Sequence, residues 1–222
     1  EEQELANQVN HLAVKQLAEI SKAQHTKLIH ISTDYVFDGE SDKPYLESDT
    51  PNPINVYGKT KLAGEKTLQA IMSTNAIIIR TSWVYSEFNN NFVKTMLRLG
   101  QERNELNVVS DQIGSPTYAT DLAEVILKII SNKNYQNKEQ STEVYHYSNE
   151  GEISWYDFAK EIFKIAKINC KVNPITTQQY PTPAKRPKNT LMNKNKIIEK
   201  FGVKNANWKE PLNTCITTLK EQ

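Results

Sequence analysis

Glycine is scarce in this 222-residue sequence, and its distribution excludes one common kind of site. None of the seven glycines forms a G-x-G-x-x-G cluster, the turn that presents backbone N–H groups and a helix N-terminus to phosphate groups. Cysteine is scarcer still. Cys170 and Cys215 lie far apart and match no metal-binding or redox spacing, so we expect two reduced, buried thiols in a cytoplasmic protein.

Three further absences narrow the range of partners. A formal net charge of +1 gives no reason to expect a nucleic acid or an anionic membrane surface. No apolar run approaches the roughly 20 residues that span a bilayer, and the first residues show no signal-peptide pattern. The four histidines show no ligand spacing. We therefore expect no nucleic-acid partner, no membrane span and no metal site.

The rest of the composition is that of a globular protein that can bury a hydrophobic core, and the chain is long enough for one domain or one and a half. Strands are predicted at 28–31, 75–80, 106–109, 144–147 and 169–175, and helices at 1–23, 56–68, 92–99, 119–130, 154–165, 194–201 and 211–220. A Pro-containing loop occupies 176–187. This alternation of strands and helices predicts an α/β fold with a parallel sheet and right-handed crossovers.

The most informative stretch runs from Lys27 to Lys66. A β-branched apolar run ends at the polar residues 32–34, which is typical of a buried strand, and a helical pattern begins at Val56. Positions four apart lie on the same helix face, so the phenol of Tyr57 and the ammonium of Lys61 project side by side. A tyrosine keeps its proton up to a pH of about 10, and a nearby positive charge can lower that pKa toward about 7.

Spacing alone does not separate a catalytic pair from an ordinary helix surface. With 10 tyrosines and 27 lysines and arginines, a basic residue four positions after a tyrosine is expected about once by chance. Tyr156 and Lys160 repeat the spacing, and we expect them to be solvated or half-buried helix residues. Only Tyr57 follows a strand that ends in hydroxyl residues, which favours the first pair as the functional one.

At this point the chain resembles a known family, the extended short-chain dehydrogenase/reductases, and within it the dTDP-4-dehydrorhamnose reductases. The resemblance starts with Ser32-Thr33-Asp34-Tyr35-Val36-Phe37 and Tyr57-Gly58-Lys59-Thr60-Lys61, and the 24-residue separation of Thr33 and Tyr57 agrees with it. Four later motifs follow in order: Arg80-Thr81-Ser82-Trp83-Val84-Tyr85, Asn90-Asn91-Phe92-Val93-Lys94-Thr95-Met96-Leu97-Arg98, Asp111-Gln112-Ile113-Gly114-Ser115-Pro116-Thr117, and Tyr180-Pro181-Thr182-Pro183-Ala184-Lys185-Arg186-Pro187.

The resemblance implies a partial doubly wound, Rossmann-type parallel sheet. Residues 1–150 would be the C-terminal part of an NAD(P)-binding domain, and residues 151–222 would be mostly a small α+β substrate-binding region. It also implies that about 70 residues, including the glycine-rich turn of such folds, precede this chain, so we expect an N-terminally truncated enzyme that binds its dinucleotide weakly or not at all.

The implied reaction transfers hydride from NADPH or NADH to the C4 ketone of dTDP-4-dehydro-6-deoxy-L-mannose, giving dTDP-L-rhamnose. Tyr57 would donate the proton, Lys61 would lower its pKa and bind the nicotinamide ribose, and Thr33 would hold the ketone oxygen. With Ser32, these three would also contact the cofactor. The residues by themselves leave a strand-end cap for Thr33 and an exposed helix charge for Lys61 as alternatives.

The family also suggests residues for binding the dTDP-sugar: Asp34, Trp83, Asn91, Phe92 and Arg186. Four of them have an ordinary structural alternative. Asp34 is also suited to an Asx turn, Trp83 to core packing, Asn91 to a helix cap and Arg186 to a solvated loop position. In favour of binding, the planar guanidinium of Arg186 matches a diphosphate.

Two other functions remain open from the sequence. One is a non-catalytic relative that acts as a binding or regulatory subunit, as in the regulatory subunit of methionine adenosyltransferase. The other is a reductase or epimerase for a different nucleotide sugar. The intact set of Thr33, Tyr57 and Lys61 favours the enzyme, with a homodimer as one option for its assembly.

Overall fold

The computed structural model describes residues 2–137 and 139–221. The helices are α1 Gln3–Asn7, α2 Ala13–Ala23, α3 Val56–Ile71, α4 Phe92–Glu102, α5 Ala119–Ser131, α6 Lys133–Asn137, α7 Trp155–Ala166, α8 Asn195–Phe201 and α9 Lys209–Glu221. The strands are β1 Leu28–Thr33, β2 Ala76–Thr81, β3 Val84–Tyr85, β4 Glu105–Val109, β5 Ile113–Gly114, β6 Thr117–Tyr118, β7 Glu143–His146, β8 Ile153–Ser154 and β9 Lys171–Ile175.

The central sheet is parallel, with strand order β1-β2-β7. All six residues of β2 are buried, as expected for a strand covered on both faces. In the register of the sheet, Ser32 lies beside Arg80 and Thr33 beside Thr81, so the polar ends of two strands meet at the carboxyl edge. The predicted α/β class with parallel strands is confirmed.

Helices cover both faces of this sheet, which makes it doubly wound. On one face, Val14 and Ala18 of α2 and Leu68 of α3 pack against Ile78. On the other face, α5 and α8 contribute Leu122, Val125, Ile129, Ile197 and Phe201 to a second cluster that includes Ile77 and Ile79. This burial on both sides explains why the strand at 75–80 could be read from an uninterrupted apolar run.

The predicted helix at 1–23 is observed as α1 and α2, joined by a π-helical turn at Gln8–Leu12, while Glu1 lies outside the described residues. A glycine on α3 permits the close packing of this turn, because a Cβ on Gly64 would lie 2.2 Å from the Asn10 carbonyl oxygen. Of the described residues, no helix is long and apolar enough to cross a membrane.

A separate core lies beside the sheet. It joins α4, α7 and α9 to the parallel pair β4 and β9, through Met96, Leu106, Phe158, Phe163 and Leu212 among others. Cys170 and Cys215 belong to this core, and both are free and buried, as predicted. This core contains residues from before and after position 150. The division of the chain into two regions at that position, as suggested by the family, remains a prediction.

Four two-residue strands, β3, β5, β6 and β8, were not predicted from the sequence. They pair as β3 with β6 and as β5 with β8. Segments this short carry no periodicity, so only their partners define them as strands.

Candidate active site

A cavity of about 540 Å³ opens at the carboxyl edge of β1 and β2, beside the start of α3. Its walls are formed by Ile31, Ser32, Thr33, Asp34, Tyr35, Tyr57, Lys61, Thr81, Trp83, Val84, Trp155 and Arg186. The structure therefore brings together the residues predicted for catalysis and cofactor contact. It also brings three of the five residues predicted for substrate binding to the same space.

Thr33 ends β1 and begins a single 3-10 turn, Asp34–Val36. Its Oγ1 accepts a hydrogen bond from the Tyr35 N–H at 3.2 Å and donates one to Asp34 Oδ1 at 3.0 Å. The residue is thus the strand-end cap that the sequence left as an alternative, and it lines the cavity at the same time. Its single hydroxyl proton is directed at Asp34.

The start of α3 is tied to the loops around the cavity. Asn55 caps the helix by accepting the Gly58 N–H at 2.8 Å, and its Nδ2 donates to the Lys185 carbonyl at 2.9 Å. Gly58 leaves room for the preceding turn, because a Cβ there would lie 2.0 Å from the Tyr35 carbonyl oxygen. The ring of Tyr57 consequently meets that of Tyr35 edge-on, with centroids 5.8 Å apart.

Lys61 reaches from α3 to β1, where its Nζ donates to the Ile31 carbonyl at 2.7 Å. Burial lowers the pKa of Lys61, and the charge of Glu65 opposes that change. The side chain is therefore half-buried at the site and does not fit the alternative of an exposed helix charge.

The pKa of Tyr57 lies above its ordinary value in this structure. Partial burial and the charge of Asp34 disfavour the phenolate more than the nearby Thr33 hydroxyl favours it. The Lys61 ammonium is engaged by the Ile31 carbonyl. The predicted lowering of the Tyr57 pKa is therefore not observed in this structure, because burial and the charge of Asp34 outweigh the favourable contribution.

Asp34 is only 2% exposed, and burial raises the pKa of its carboxyl to about 6 despite the hydroxyls of Thr190 and Thr33. Its Oδ2 has no hydrogen-bond partner among the described residues. The carboxyl lines the cavity but is already the acceptor for Thr33, so its first role in this structure is to orient that hydroxyl.

An aromatic wall closes one side of the cavity. The rings of Trp83 and Trp155 stack with centroids 3.6 Å apart, and Phe92 lies 4.5 Å from Trp155. Trp83 has a φ of +47°, which is unusual for a bulky residue, and its indole lies over Gly114, where a Cβ would approach to 2.7 Å. Sequence reasoning missed Trp155, since no local pattern distinguishes it from a core residue of α7.

A second cavity of about 820 Å³ adjoins the first and shares Trp155 and Arg186 with it. It lies between α4, β4 and the end of β9, and Phe92 lines it. Asn91 lines neither cavity. Its side chain caps α4, accepting the Lys94 N–H at 3.2 Å and donating to the Ser86 carbonyl at 2.7 Å, which matches the alternative given for this residue.

Behind the first cavity lies an ion pair that was not predicted, between Glu65 of α3 and Arg80 of β2. No local pattern in the sequence indicated it, because Glu65 and Arg80 lie on different elements, 15 positions apart. The second Tyr/Lys pair behaves as predicted: Lys160 is exposed, its Nζ lies 5.0 Å from the centre of the Tyr156 ring, and neither residue lines either cavity.

Comparison with known proteins decides the family. Residues 1–221 match the family model described as "RmlD substrate binding domain". The chain belongs to this family. The dTDP-4-dehydrorhamnose reductase of Aggregatibacter actinomycetemcomitans is 44% identical over 213 residues, which cover 93% of this chain and 72% of that protein.

Solved structures agree with this assignment. A dTDP-4-dehydrorhamnose reductase from Clostridium acetobutylicum superposes with a TM-score of 0.91 at 43% identity, covering 99% of this chain and 75% of the other. The enzyme of the same name from Bacillus anthracis, solved in complex with NADP, gives 0.90 at 40% identity, covering 98% and 74%. The resemblance inferred from the motifs is thereby confirmed.

Proposed function

We propose that this protein reduces the C4 ketone of dTDP-4-dehydro-6-deoxy-L-mannose to dTDP-L-rhamnose with NADPH or NADH. The observation that carries the proposal is that Thr33, Tyr57 and Lys61 line one cavity in a chain of the RmlD family. Relatives at about 40% identity are named as this reductase, so the alternative of a non-catalytic binding subunit is not favoured.

The cavity fits the nicotinamide end of a dinucleotide. It lies outside the carboxyl ends of parallel strands, where ligands bind in open α/β sheets. Ser32, Thr33, Tyr57 and Lys61 offer hydroxyl and ammonium groups for the amide and the ribose. The B. anthracis relative was solved with NADP. When bound, the reduced nicotinamide supplies the hydride.

Tyr57 gives its proton to the ketone oxygen as negative charge develops there. Thr33 holds the same oxygen by a hydrogen bond, and substrate binding replaces the present bond from Thr33 to Asp34. Lys61 uses one ammonium proton on the Ile31 carbonyl, which leaves two for the ribose hydroxyls. Its charge favours the phenolate that Tyr57 becomes.

The dTDP-sugar lies across both cavities in this proposal. The sugar packs against Trp83 in the first, and the nucleoside occupies the second, beside Phe92. Arg186 borders both spaces, which supports a role for its guanidinium in binding the diphosphate between sugar and nucleoside. Asn91 is placed to support this surface through the cap of α4.

The assembly and the location of the protein are also proposals. We propose a homodimer, because Leu5, Val9, Leu17 and Ile20 are each more than half exposed along α1, the π-helical turn and α2, and large exposed apolar surfaces mark interfaces. Light scattering on the full-length protein tests this. The reaction uses intracellular metabolites, so we place the protein in the cytoplasm, which cell fractionation tests.

The deciding experiment measures NAD(P)H oxidation by the full-length protein with dTDP-4-dehydro-6-deoxy-L-mannose. Tyr57→Phe removes the proton donor, and we expect turnover to fall by about 10²-fold or more. The matched control is Tyr156→Phe, which alters the second tyrosine of the same spacing outside both cavities and should leave turnover unchanged. A Tyr57→Phe variant that keeps more than about a tenth of the wild-type rate would contradict the assigned acid.

A further inference from the structure

Glu65 and Arg80 form a buried ion pair directly behind the first cavity. Their side chains are 1% and 4% exposed, and within the described part of the chain no other ion pair has both side chains buried. Arg80 Nη2 donates to Glu65 Oε2 at 2.7 Å, and its Nε donates to Oε1 at 3.1 Å. Removing two charges from water costs free energy, so a buried ion pair is only weak evidence that the pair stabilises the fold. Its position, however, points to a second role.

Two consecutive residues of β1 are held by α3. The Ile31 carbonyl accepts from Lys61 Nζ, and the Ser32 hydroxyl donates to Glu65 Oε1. Lys61 and Glu65 are one helical turn apart, so the two contacts set the position of the helix along the strand. The next residue of β1 is Thr33, and the preceding turn of α3 carries Tyr57.

We propose that Glu65 is a positioning residue of this site, which fixes the end of β1 against α3 and carries a negative charge one helical turn from Lys61 on the same helix. The proposal rests on the function given above. It extends that function by assigning the alignment of Thr33 with Tyr57 to a residue outside the cavity, since Glu65 does not line the cavity.

The charged groups around Lys61 support the proposal that the negative charge of Glu65 acts on this ammonium. Glu65 lies on the same helix, His30 on β1, Asp34 in the turn after β1, and Arg80 on β2 behind Glu65. Burial and the Lys61 charge lower the pKa of His30 to about 4, so this imidazole is neutral near pH 7. The carboxylate of Glu65 opposes the effect of burial on the pKa of Lys61. Because Glu65 also lies one helical turn from Lys61 on α3, its charge helps to keep this ammonium protonated in the proposal.

The test compares wild type, Glu65→Gln and the double variant Glu65→Gln/Arg80→Met in the full-length protein. Glutamine keeps an acceptor for Ser32 and removes the charge, and the methionine avoids an unpaired buried guanidinium. Glu102→Gln is the control, because it breaks the exposed Arg98–Glu102 pair on α4. Each protein is assayed for the pH dependence of kcat and for thermal midpoint. The pH dependence of Lys61 acylation, read by mass spectrometry, is measured without cofactor.

In Glu65→Gln we expect the alkaline limb of kcat and the Lys61 acylation curve to move down by about one pH unit or more, and in the double variant by less, because the positive charge of Arg80 is removed as well. Glu102→Gln should move neither. Wild-type curves in a folded Glu65→Gln variant would overturn the proposal, and so would a double variant that does not fold, because the pair would then serve stability. If wild type shows no turnover, the proposed function fails, while the acylation curves still decide the role of Glu65.

Discussion

Replacing Asp34 with asparagine should stabilise the protein at neutral pH and leave its stability unchanged in acid. The carboxyl is almost fully buried, no cation contacts it among the described residues, and its pKa is raised to about 6 from an ordinary 3.8. A raised carboxyl pKa means that the folded state holds the proton more tightly than the unfolded chain. The contribution of Asp34 to the free energy of unfolding is therefore greatest below about pH 4 and declines as the pH rises to about 6.

The magnitude follows from the shift. A rise of about two pKa units corresponds to about 3 kcal/mol, which is the cost of ionising Asp34 in the folded protein at pH 7. Asparagine carries no charge and can still accept the hydrogen bond from Thr33. We expect Asp34→Asn to gain about 1 to 3 kcal/mol at pH 7, the lower value allowing for weaker hydrogen bonds to a neutral acceptor.

Urea denaturation of wild type and Asp34→Asn at pH 4 and pH 7 measures this difference. Asp38→Asn is the matched control of opposite sign, because hydrogen bonds donated by the Glu40 N–H, the Asn52 amide and the Tyr45 hydroxyl lower the pKa of Asp38. That variant should lose stability at pH 7 and lose less in acid. If Asp34→Asn is destabilised equally at both pH values, hydrogen bonding outweighs burial at Asp34 and the reasoning is refuted.

Two further predictions concern the walls of the site. Gly58→Ala should lower the free energy of unfolding by more than about 2 kcal/mol and reduce turnover, because the new Cβ would meet the Tyr35 carbonyl oxygen at 2.0 Å. Urea denaturation and rate assays measure the two effects. Unchanged values would contradict the prediction, because they would show that α3 shifts to make room for the methyl group. Trp155→Leu should raise KM for the dTDP-sugar by about tenfold with a smaller change in kcat, because Trp155 borders both cavities and stacks on Trp83. Steady-state kinetics measure both constants. A KM equal to that of wild type would contradict the role of Trp155 in the substrate-binding wall.

The regular elements were the part best predicted from the sequence. Helix α3 begins at Val56 and β1 runs from Leu28, as the local patterns indicated, because an amphipathic period or a buried apolar run reflects the sequence of one segment. The short strands β3 and β6 were not predicted, since their pairing depends on residues about thirty positions apart.

The site was predicted unevenly for the same reason. The convergence of Thr33, Tyr57 and Lys61 on one cavity was expected from the motifs, and it is observed. Asn91 shows the opposite case. The motif suggested a substrate contact, but its amide is used to cap α4, and spacing along the chain does not decide between the two uses.

The sequence by itself determined the fold class, the family and the residues that carry the proposed proton transfer. Those features depend on segments whose side chains act within one strand or one helical turn. Only the tertiary structure placed Trp155 against Trp83, Arg186 between two cavities and Arg80 on Glu65. Each of these arrangements involves residues from separate segments of the chain, so charge pairing, ring stacking and the position of Arg186 could be assigned only from the folded structure.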